Sequence, residues 1–240
     1  MTVLTALHLD ALMRDLELTA VVAMRRAVPH LRQFVALREA LQRVNVTTDE
    51  AYQQDLSRYI GLRGKLRLQR ESVFRILQDF KSEPQPQFKV VLAQLTALTG
   101  QVEKSVASSL LALVDPLQPV IDRDLRQLLP RYGFPMLAEA PQFDDCVAWH
   151  EALSALLGEV MDRPTWPALA NRLSAQVPVD LREAVGSVRL LNAHLSEARK
   201  LVALMAVPRL MPASSRAQSQ AATQTEVAQP LLSVRLHLCR

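Results

Sequence analysis

The stretch "LTGQVEKSVASSLLALVDPLQPVIDRDL", Leu98 to Leu125, decides the fold class of this 240-residue chain. It contains a glycine, a lysine four residues later, an apolar run rich in small residues, a segment with two prolines, and an aspartate. Glycine ends helices, proline prevents a helix from continuing, and aspartate caps the start of a new one. The stretch therefore predicts a helix, a glycine turn, a second helix over about 103–113, a proline-containing return and a third helix.

The composition of the whole chain favours the same class. Aromatic residues make up only 5% of the chain and there are only 6 glycines, whereas alanine and leucine are abundant. β-Sheet proteins depend on aromatic and β-branched residues and on glycine turns, so this bias favours helices. We expect an all-α, multi-helix globular body of about nine or ten helices over residues 1–207, and a flexible tail over 208–240.

Local signals place the helix boundaries in the first part of the chain. Apolar residues at helical spacing predict one helix around residues 9–16 and a second over 18–44, which Pro29 is expected to kink or split. "TTDE", which starts at Thr47, has the pattern of a capping box and predicts a helix that ends near Gly61.

Further along, two glycines and alternating basic and apolar residues in "GLRGKLRLQRES" (61–72) predict a loop or a short extended piece. Ser72 is expected to cap the helix that follows. Gly100 is expected to end the helix that precedes it. Apolar periodicity predicts a last long helix over 179–205.

The C-terminal tail differs from the body in composition. Beyond Pro212 the chain is polar and holds few large apolar side chains, so it is predicted to be disordered. The final "PLLSVRLHLCR" (230–240) alternates like a strand. We expect this apolar end to dock on the body or to contact a protein partner.

The sequence carries no signal of a membrane protein or of a metalloprotein. No apolar run reaches the roughly 18 residues that a membrane span needs, and the N-terminus lacks the basic start of a signal peptide. Cys146 and Cys239 lie far apart and predict no disulfide framework, so a cytoplasmic setting is expected. Cys146 and His150 have the spacing of two metal ligands on one helix, but no third ligand is identifiable, and we expect neither a metal nor a cofactor.

Positive charge is concentrated in one part of the chain. Residues 51–90 contain eight Lys or Arg against four Asp or Glu, whereas residues 91–150 contain four against seven. A basic segment indicates a surface that faces a polyanion, although the solvated face of ordinary helices gives the same composition. The best candidates for contacts with DNA phosphates surround a glycine in the predicted loop: Arg63, Lys65, Arg67 and Arg70.

The opening stretch resembles the hairpin motif of the helix-hairpin-helix superfamily of DNA glycosylases. That motif runs Leu-Pro-Gly-Val-Gly-x-Lys-x-Ala, then an apolar helix, then Val-Asp-Thr-His-Val. The matching residues here are Leu98, Gly100, Lys104, Ile121 and Asp122. Three positions differ from the motif: Thr99 replaces its proline, Val102 its second glycine, and Arg123-Asp124 its Thr-His. The stretch also resembles one in uncharacterised prokaryotic and phage proteins.

The resemblance implies a glycosylase-like arrangement of helices and a reaction. In it, the Lys104 amine attacks the deoxyribose carbon as the base leaves, the Asp122 carboxylate stabilises the developing positive charge, and the backbone at Gly100 approaches a phosphate. A helix roughly 16 Å long, followed by a return of up to roughly 26 Å, leaves enough chain to bring Asp122 beside Lys104. In the alternative interpretation, Lys104 is a solvent-exposed lysine and Asp122 only caps a helix.

Two functions follow from these patterns. The first is a DNA-binding helical protein that resembles base-excision glycosylases, with action on damaged or abasic DNA as its implied chemistry. The second is a non-catalytic helical adaptor or scaffold of a mobile-element or phage-defence system, with the tail as its protein contact.

Overall fold

The longest element of the fold is α1, a helix of 38 residues, Ala6–Arg43. The hydroxyl of Thr5 caps its start by accepting a hydrogen bond from the His8 amide at 3.3 Å. The prediction of two helices, over 9–16 and 18–44, is wrong, because this part of the chain forms one helix. Pro29, which was expected to kink or split the second of them, lies inside α1 and does not split it. A proline removes one main-chain hydrogen bond, whereas buried side chains hold α1 in the core on both sides of it. They include Ala23, Met24, Ala27, Leu31 and Phe34.

Helix α2, Glu50–Ile60, follows after a short connection. It ends at Gly61 as predicted, and the φ of 63° at this residue is the left-handed conformation that glycine adopts most easily. The predicted cap is wrong. Asp49, rather than Thr47, caps α2, because its carboxylate accepts a hydrogen bond from the Tyr52 amide at 2.8 Å.

The predicted loop after Gly61 contains a short helix, α3 (Gly64–Leu68), and α4 (Arg70–Phe80) begins after one intervening residue. Ser72 does not cap α4 but lies within its first turns. Leu66 is buried in the core, and this tertiary contact explains why a segment of weak helical pattern is helical rather than extended.

The opening stretch of the sequence forms helices where they were predicted. Helix α5, Phe88–Thr99, ends at Gly100, which has a φ of 68°, and α6, Lys104–Val114, follows the turn. Helix α7, Arg123–Leu128, begins after Asp122, whose side chain accepts a hydrogen bond from a first-turn amide at 2.7 Å. The prediction that Asp122 caps a helix is confirmed.

A 3₁₀ turn, Leu129–Tyr132, leads from α7 into the last part of the fold. The helices that follow are α8 (Phe143–Met161), α9 (Trp166–Ser174), α10 (Val179–Arg182) and α11 (Ser187–Ala206). The single helix predicted over 179–205 is therefore wrong. The chain leaves the helical conformation before Gly186, since glycine lowers helix stability, and α11 starts after it.

The computed structural model describes residues 4–206, and all secondary structure within them is helical, with no strand. The predicted all-α class is confirmed, with eleven α-helices in this range rather than nine or ten. Helix α1 packs along α11 and also contacts α2 and α9, while α7 packs on α11 and α5 on α6. One continuous apolar core joins these helices; its largest fully buried side chains include Phe34, Phe74, Leu12, Leu16 and Met24.

The predictions for the tail, which are disorder beyond Pro212 and a strand-like end at 230–240, lie outside the described residues. Within residues 4–206, none of the helices combines the length and the apolar character that crossing a membrane requires.

Candidate functional site

A positively charged segment extends from α2 to α4. Its Lys and Arg side chains are all exposed, and we call them the basic segment: Arg58, Arg63, Lys65, Arg67, Arg70 and Arg75. Arg58 forms an ion pair with Asp55 at 2.9 Å. None of the others forms an ion pair with a residue in the range 4–206. Their charge is therefore available to an anionic partner.

Part of the basic segment lines an open groove of about 690 Å³ between α2 and α4. Arg58, Arg70 and Arg75 contribute the positive charge, and Glu50 and Glu71 contribute negative charge. Hydroxyl and amide side chains complete the wall: Thr47, Thr48, Gln53, Gln54 and Ser57. Arginines accompanied by hydroxyl and amide groups are the side chains that contact DNA phosphates.

The turn at Gly100 contacts the basic segment but offers little to a phosphate. The Lys65 ammonium donates a hydrogen bond to the Thr99 carbonyl oxygen at 3.0 Å. The Gly100 amide donates to the Thr96 carbonyl oxygen at 2.7 Å, and the Gln101 amide to the Thr99 hydroxyl at 3.1 Å. These two amides are therefore used within the turn itself.

Lys104 lies at the start of α6 and is buried, which contradicts its interpretation as a solvent-exposed lysine. Its ammonium group faces the Glu139 carbonyl oxygen at 3.4 Å. Burial lowers the pKa of the Lys104 amine and the Arg126 guanidinium lowers it further, while the carboxylates of Glu139 and Glu103 raise it. The Lys104 side chain is thus largely covered by protein groups at the start of α6.

Asp122 uses both carboxylate oxygens inside the protein. One accepts a hydrogen bond from the Leu125 amide at 2.7 Å, and the other accepts a hydrogen bond from the Ser196 hydroxyl of α11. Burial raises the pKa of the Asp122 carboxyl, and the hydrogen bonds from Ser196 and Leu125 partly oppose that rise. The side chain therefore links the start of α7 to α11.

The structure does not bring Lys104 and Asp122 together in one cavity. Asp122 lines a cavity with Ser196 and Arg189, and Lys104 is absent from the wall of that cavity. The charged groups around Lys104 belong instead to Arg126 and Glu139. Neither Lys104 nor Asp122 lines the groove of the basic segment.

Arg189 is not among the site residues predicted from the sequence, yet it is a buried arginine of α11 that lines the same cavity as Asp122. A signal for it exists in the pattern of α11. Arg189, Asn192 and Ser196 follow one another at intervals of three and four residues, which places three polar side chains on one face of a helix. That face belongs to a largely buried helix, and such an arrangement indicates a polar site inside the protein.

Cys146 and His150, the two residues with the spacing of metal ligands, are both buried in α8. The His150 ring stacks on Phe88 with the ring centroids 4.1 Å apart, and burial lowers the pKa of this histidine to about 4. In the part of the chain that the structure describes, no three His, Cys, Asp or Glu side chains are placed to hold a metal ion.

The candidate DNA-contact site therefore consists of the basic segment and its groove, and the turn at Gly100 lies beside it through the contact with Lys65. The candidate catalytic residues, Lys104 and Asp122, lie outside that groove and in separate surroundings. Comparisons of the chain with family models, with curated proteins and with solved structures give no match.

Proposed function

We propose that this protein binds double-stranded DNA through phosphate contacts of its basic segment and carries out no chemistry on the DNA. The observation that supports this most strongly is the set of six exposed cations from α2 to α4, five of which have no ion-pair partner within residues 4–206. DNA presents one negative charge for about every 1.7 Å of its axis, so such a surface gains free energy by releasing counterions.

The contacts are proposed to involve phosphates rather than bases. The cations come from three short helices, of 11, 5 and 11 residues, instead of from one helix face that enters the major groove. The groove adds hydroxyl and amide donors, which commonly accompany arginine at the DNA backbone. Binding of this kind depends little on DNA sequence.

The surroundings of Lys104 and Asp122 support a function without catalysis. A lyase needs an amine that reaches the sugar, whereas the Lys104 amine is enclosed near Glu139 and Arg126. A stabilising carboxylate needs free oxygens near the reacting carbon, whereas both Asp122 oxygens accept hydrogen bonds from the protein. The proposal therefore keeps only the DNA contact that the resemblance to helix-hairpin-helix glycosylases implies, and not the reaction.

The protein would then be the DNA-binding component of a larger assembly. This role combines the two functions expected from the sequence, DNA binding and a non-catalytic adaptor. DNA contact comes from the basic segment, and protein contact remains a prediction for the tail. We place the protein in the cytoplasm, where a buried free thiol such as Cys146 persists in reduced form.

The proposal is tested by fluorescence anisotropy of two labelled DNA duplexes of unrelated sequence titrated with the full chain. We expect similar affinities for both duplexes and a steep loss of affinity between about 50 and 200 mM salt, because counterion release drives the binding. A lack of binding to either duplex at the lower salt concentration would contradict the proposal.

A further inference from the structure

A second polar site is distinct from the groove of the basic segment. It is a cavity of about 400 Å³ whose wall is formed by residues of α1, α2, α6, α7 and α11. Small-molecule sites in proteins commonly have volumes of roughly 300–1,000 Å³, so this cavity has the size of a small-ligand site. None of the six cations of the basic segment lines it.

Arg189 of α11 is held rigidly in the wall of this cavity. The residue is 3% exposed, and its guanidinium carbon lies 4.6 Å from the centroid of the Phe34 ring. Its Nη2 donates hydrogen bonds to the Tyr59 hydroxyl and to Nε2 of His30, both at 3.0 Å. The His30 ring also stacks on Tyr59 with the centroids 4.8 Å apart. These contacts fix the plane of the guanidinium and hence the directions of its other N–H groups.

The charge of Arg189 is not balanced by an ion pair within residues 4–206. Its two hydrogen-bond acceptors, Tyr59 and His30, are neutral, because an arginine only donates and His30 must therefore accept through an unprotonated nitrogen. The Nε hydrogen is buried and has no acceptor among the described residues. A buried charge is costly unless an opposite charge compensates it.

The acidic side chains of the cavity already have partners. Asp124 forms ion pairs with Arg199 at 2.6 Å and with Lys200 at 3.7 Å, and Glu197 pairs with Lys200 at 3.2 Å. Asp122 accepts hydrogen bonds through both oxygens, and burial raises the pKa of its carboxyl. Although the charge of Arg189 lowers that pKa, the two side chains form no ion pair. The cavity therefore keeps a positive charge at Arg189 that these acids do not pair with.

We propose that this cavity binds a small ligand through an oxyanion group, a carboxylate or a phosphate, that pairs with the Arg189 guanidinium. Tyr59 and His30 use both hydrogens of Nη2, so the oxyanion accepts charge-assisted hydrogen bonds from the Nη1 group of Arg189. The hydroxyls of Ser105 and Ser109, on α6, line the same cavity and supply further donors. The inference does not depend on DNA binding, because a different set of residues carries it.

The test measures thermal denaturation and calorimetric binding of the full chain with inorganic phosphate, with succinate, and with chloride at equal ionic strength. We expect phosphate or succinate, but not chloride, to raise the unfolding midpoint, and the anion that acts identifies the ligand class. Arg189→Met keeps a long side chain against Phe34 and removes the charge. It should weaken binding by at least about tenfold, the loss expected for one charge-assisted hydrogen bond.

Two further variants make the outcome unambiguous. Ser109→Leu fills the cavity from a partly exposed position of α6 and leaves Arg189 intact, so it should abolish anion binding even where Arg189→Met fails to fold. The triple change Arg63→Ala, Arg67→Ala and Arg70→Ala should leave anion binding unchanged, since those residues do not line the cavity. Equal effects of all three anions, or wild-type affinity in Ser109→Leu, would overturn the proposal.

Discussion

The Lys65 ammonium donates a hydrogen bond to the Thr99 carbonyl oxygen at 3.0 Å, and this contact joins the basic segment to the turn at Gly100. Thr99 is the last residue of α5, so the Lys65 charge lies at the negative end of a helix dipole, where a cation is stabilised. The contact holds α3 against α5 although the two residues are 34 positions apart. A helix that is held in place loses less conformational entropy when its cations bind phosphates than a flexible loop would lose.

Gly100→Ala separates a structural role of this turn from direct DNA contact. The φ of 68° at Gly100 is unfavourable for alanine, so the change should lower the free energy of unfolding by about 1 kcal/mol. DNA affinity should stay unchanged, because the Gly100 amide is used by Thr96. Chemical denaturation and anisotropy titration measure the two quantities. Unchanged stability together with a tenfold loss of DNA affinity would show that the turn binds a phosphate.

The proposed absence of lyase chemistry predicts the outcome of borohydride trapping. Wild-type protein incubated with abasic DNA and borohydride should give no covalent adduct, because the Lys104 amine is enclosed beside Glu139. A lyase of known activity on the same DNA serves as the positive control. An adduct that disappears in Lys104→Met would contradict the proposal and restore the lyase expected from the sequence resemblance.

Lys104 should instead matter for stability. Lys104→Met keeps a long apolar stem and removes a charge whose burial is costly, so the free energy of unfolding should stay within about 1 kcal/mol of the wild type. Lys104→Ala removes the buried stem and should cost about 2 kcal/mol. Chemical denaturation compares the two variants. Equal, negligible effects of both changes would indicate an exposed side chain.

Asp122 provides a test of helix capping. Asp122→Ala should lower the free energy of unfolding by about 1–2 kcal/mol, because the α7 amide and the Ser196 hydroxyl lose their acceptor. Asp122→Asn should cost less than half as much, since asparagine caps about as well as aspartate. Asp144→Ala, an exposed first-turn change in α8, is the control. If Asn and Ala destabilise equally, the negative charge rather than the cap is important.

Sequence reasoning succeeded where the deciding interaction is local. Gly61 and Gly100 end helices because a left-handed residue is needed at those points, and glycine supplies it without steric cost. Asp122 caps α7 through a contact three residues away. Such interactions depend only on residues that are close together in the chain, so a single sequence predicts them.

Prediction from the sequence failed where contacts between distant residues decide the structure. Lys104 is buried because of groups such as Glu139, which is 35 residues away, and α1 stays continuous through Pro29 because its buried face packs along α11. Arg189 forms hydrogen bonds in its cavity with His30 and Tyr59, which lie 159 and 130 residues away from it in the chain. Spacing along the chain carries no information about such contacts.

A buried neutral histidine gives the protein a dependence on pH. Burial lowers the pKa of His194 to about 4, compared with about 6.5 in an unfolded chain. Protonation below pH 6.5 therefore favours the unfolded state, and the stability that His194 contributes is complete above 6.5 and is lost as pH falls towards 4. Each bound proton changes the free energy of unfolding by up to about 1.4 kcal/mol per pH unit.

His194→Gln isolates this effect from other titrating groups. The side-chain amide of glutamine can still form a hydrogen bond with the Thr19 hydroxyl, which lies 3.1 Å from Nε2 of His194, but it does not titrate. Chemical denaturation at pH 7, 6 and 5 should show that the variant loses less stability than the wild type over this range. Parallel losses in both proteins would mean that His194 is not neutral in the folded state.

The dependence of DNA affinity on salt tests phosphate binding by the basic segment most directly. The triple variant Arg63→Ala, Arg67→Ala and Arg70→Ala is compared with a charge-matched control, Arg131→Ala, Arg172→Ala and Arg182→Ala. All six arginines are exposed, and the control residues lie outside α2–α4. Both variants lose the same net charge, so only the position of the charge differs.

The measurement is the slope of log affinity against log salt concentration for the wild type and both triple variants. We expect the slope to become shallower by roughly 0.9 for each phosphate contact removed from the basic segment, and to remain at the wild-type value in the control. The same change should occur for every DNA sequence. Equal slopes for the two triple variants would contradict DNA binding by the basic segment.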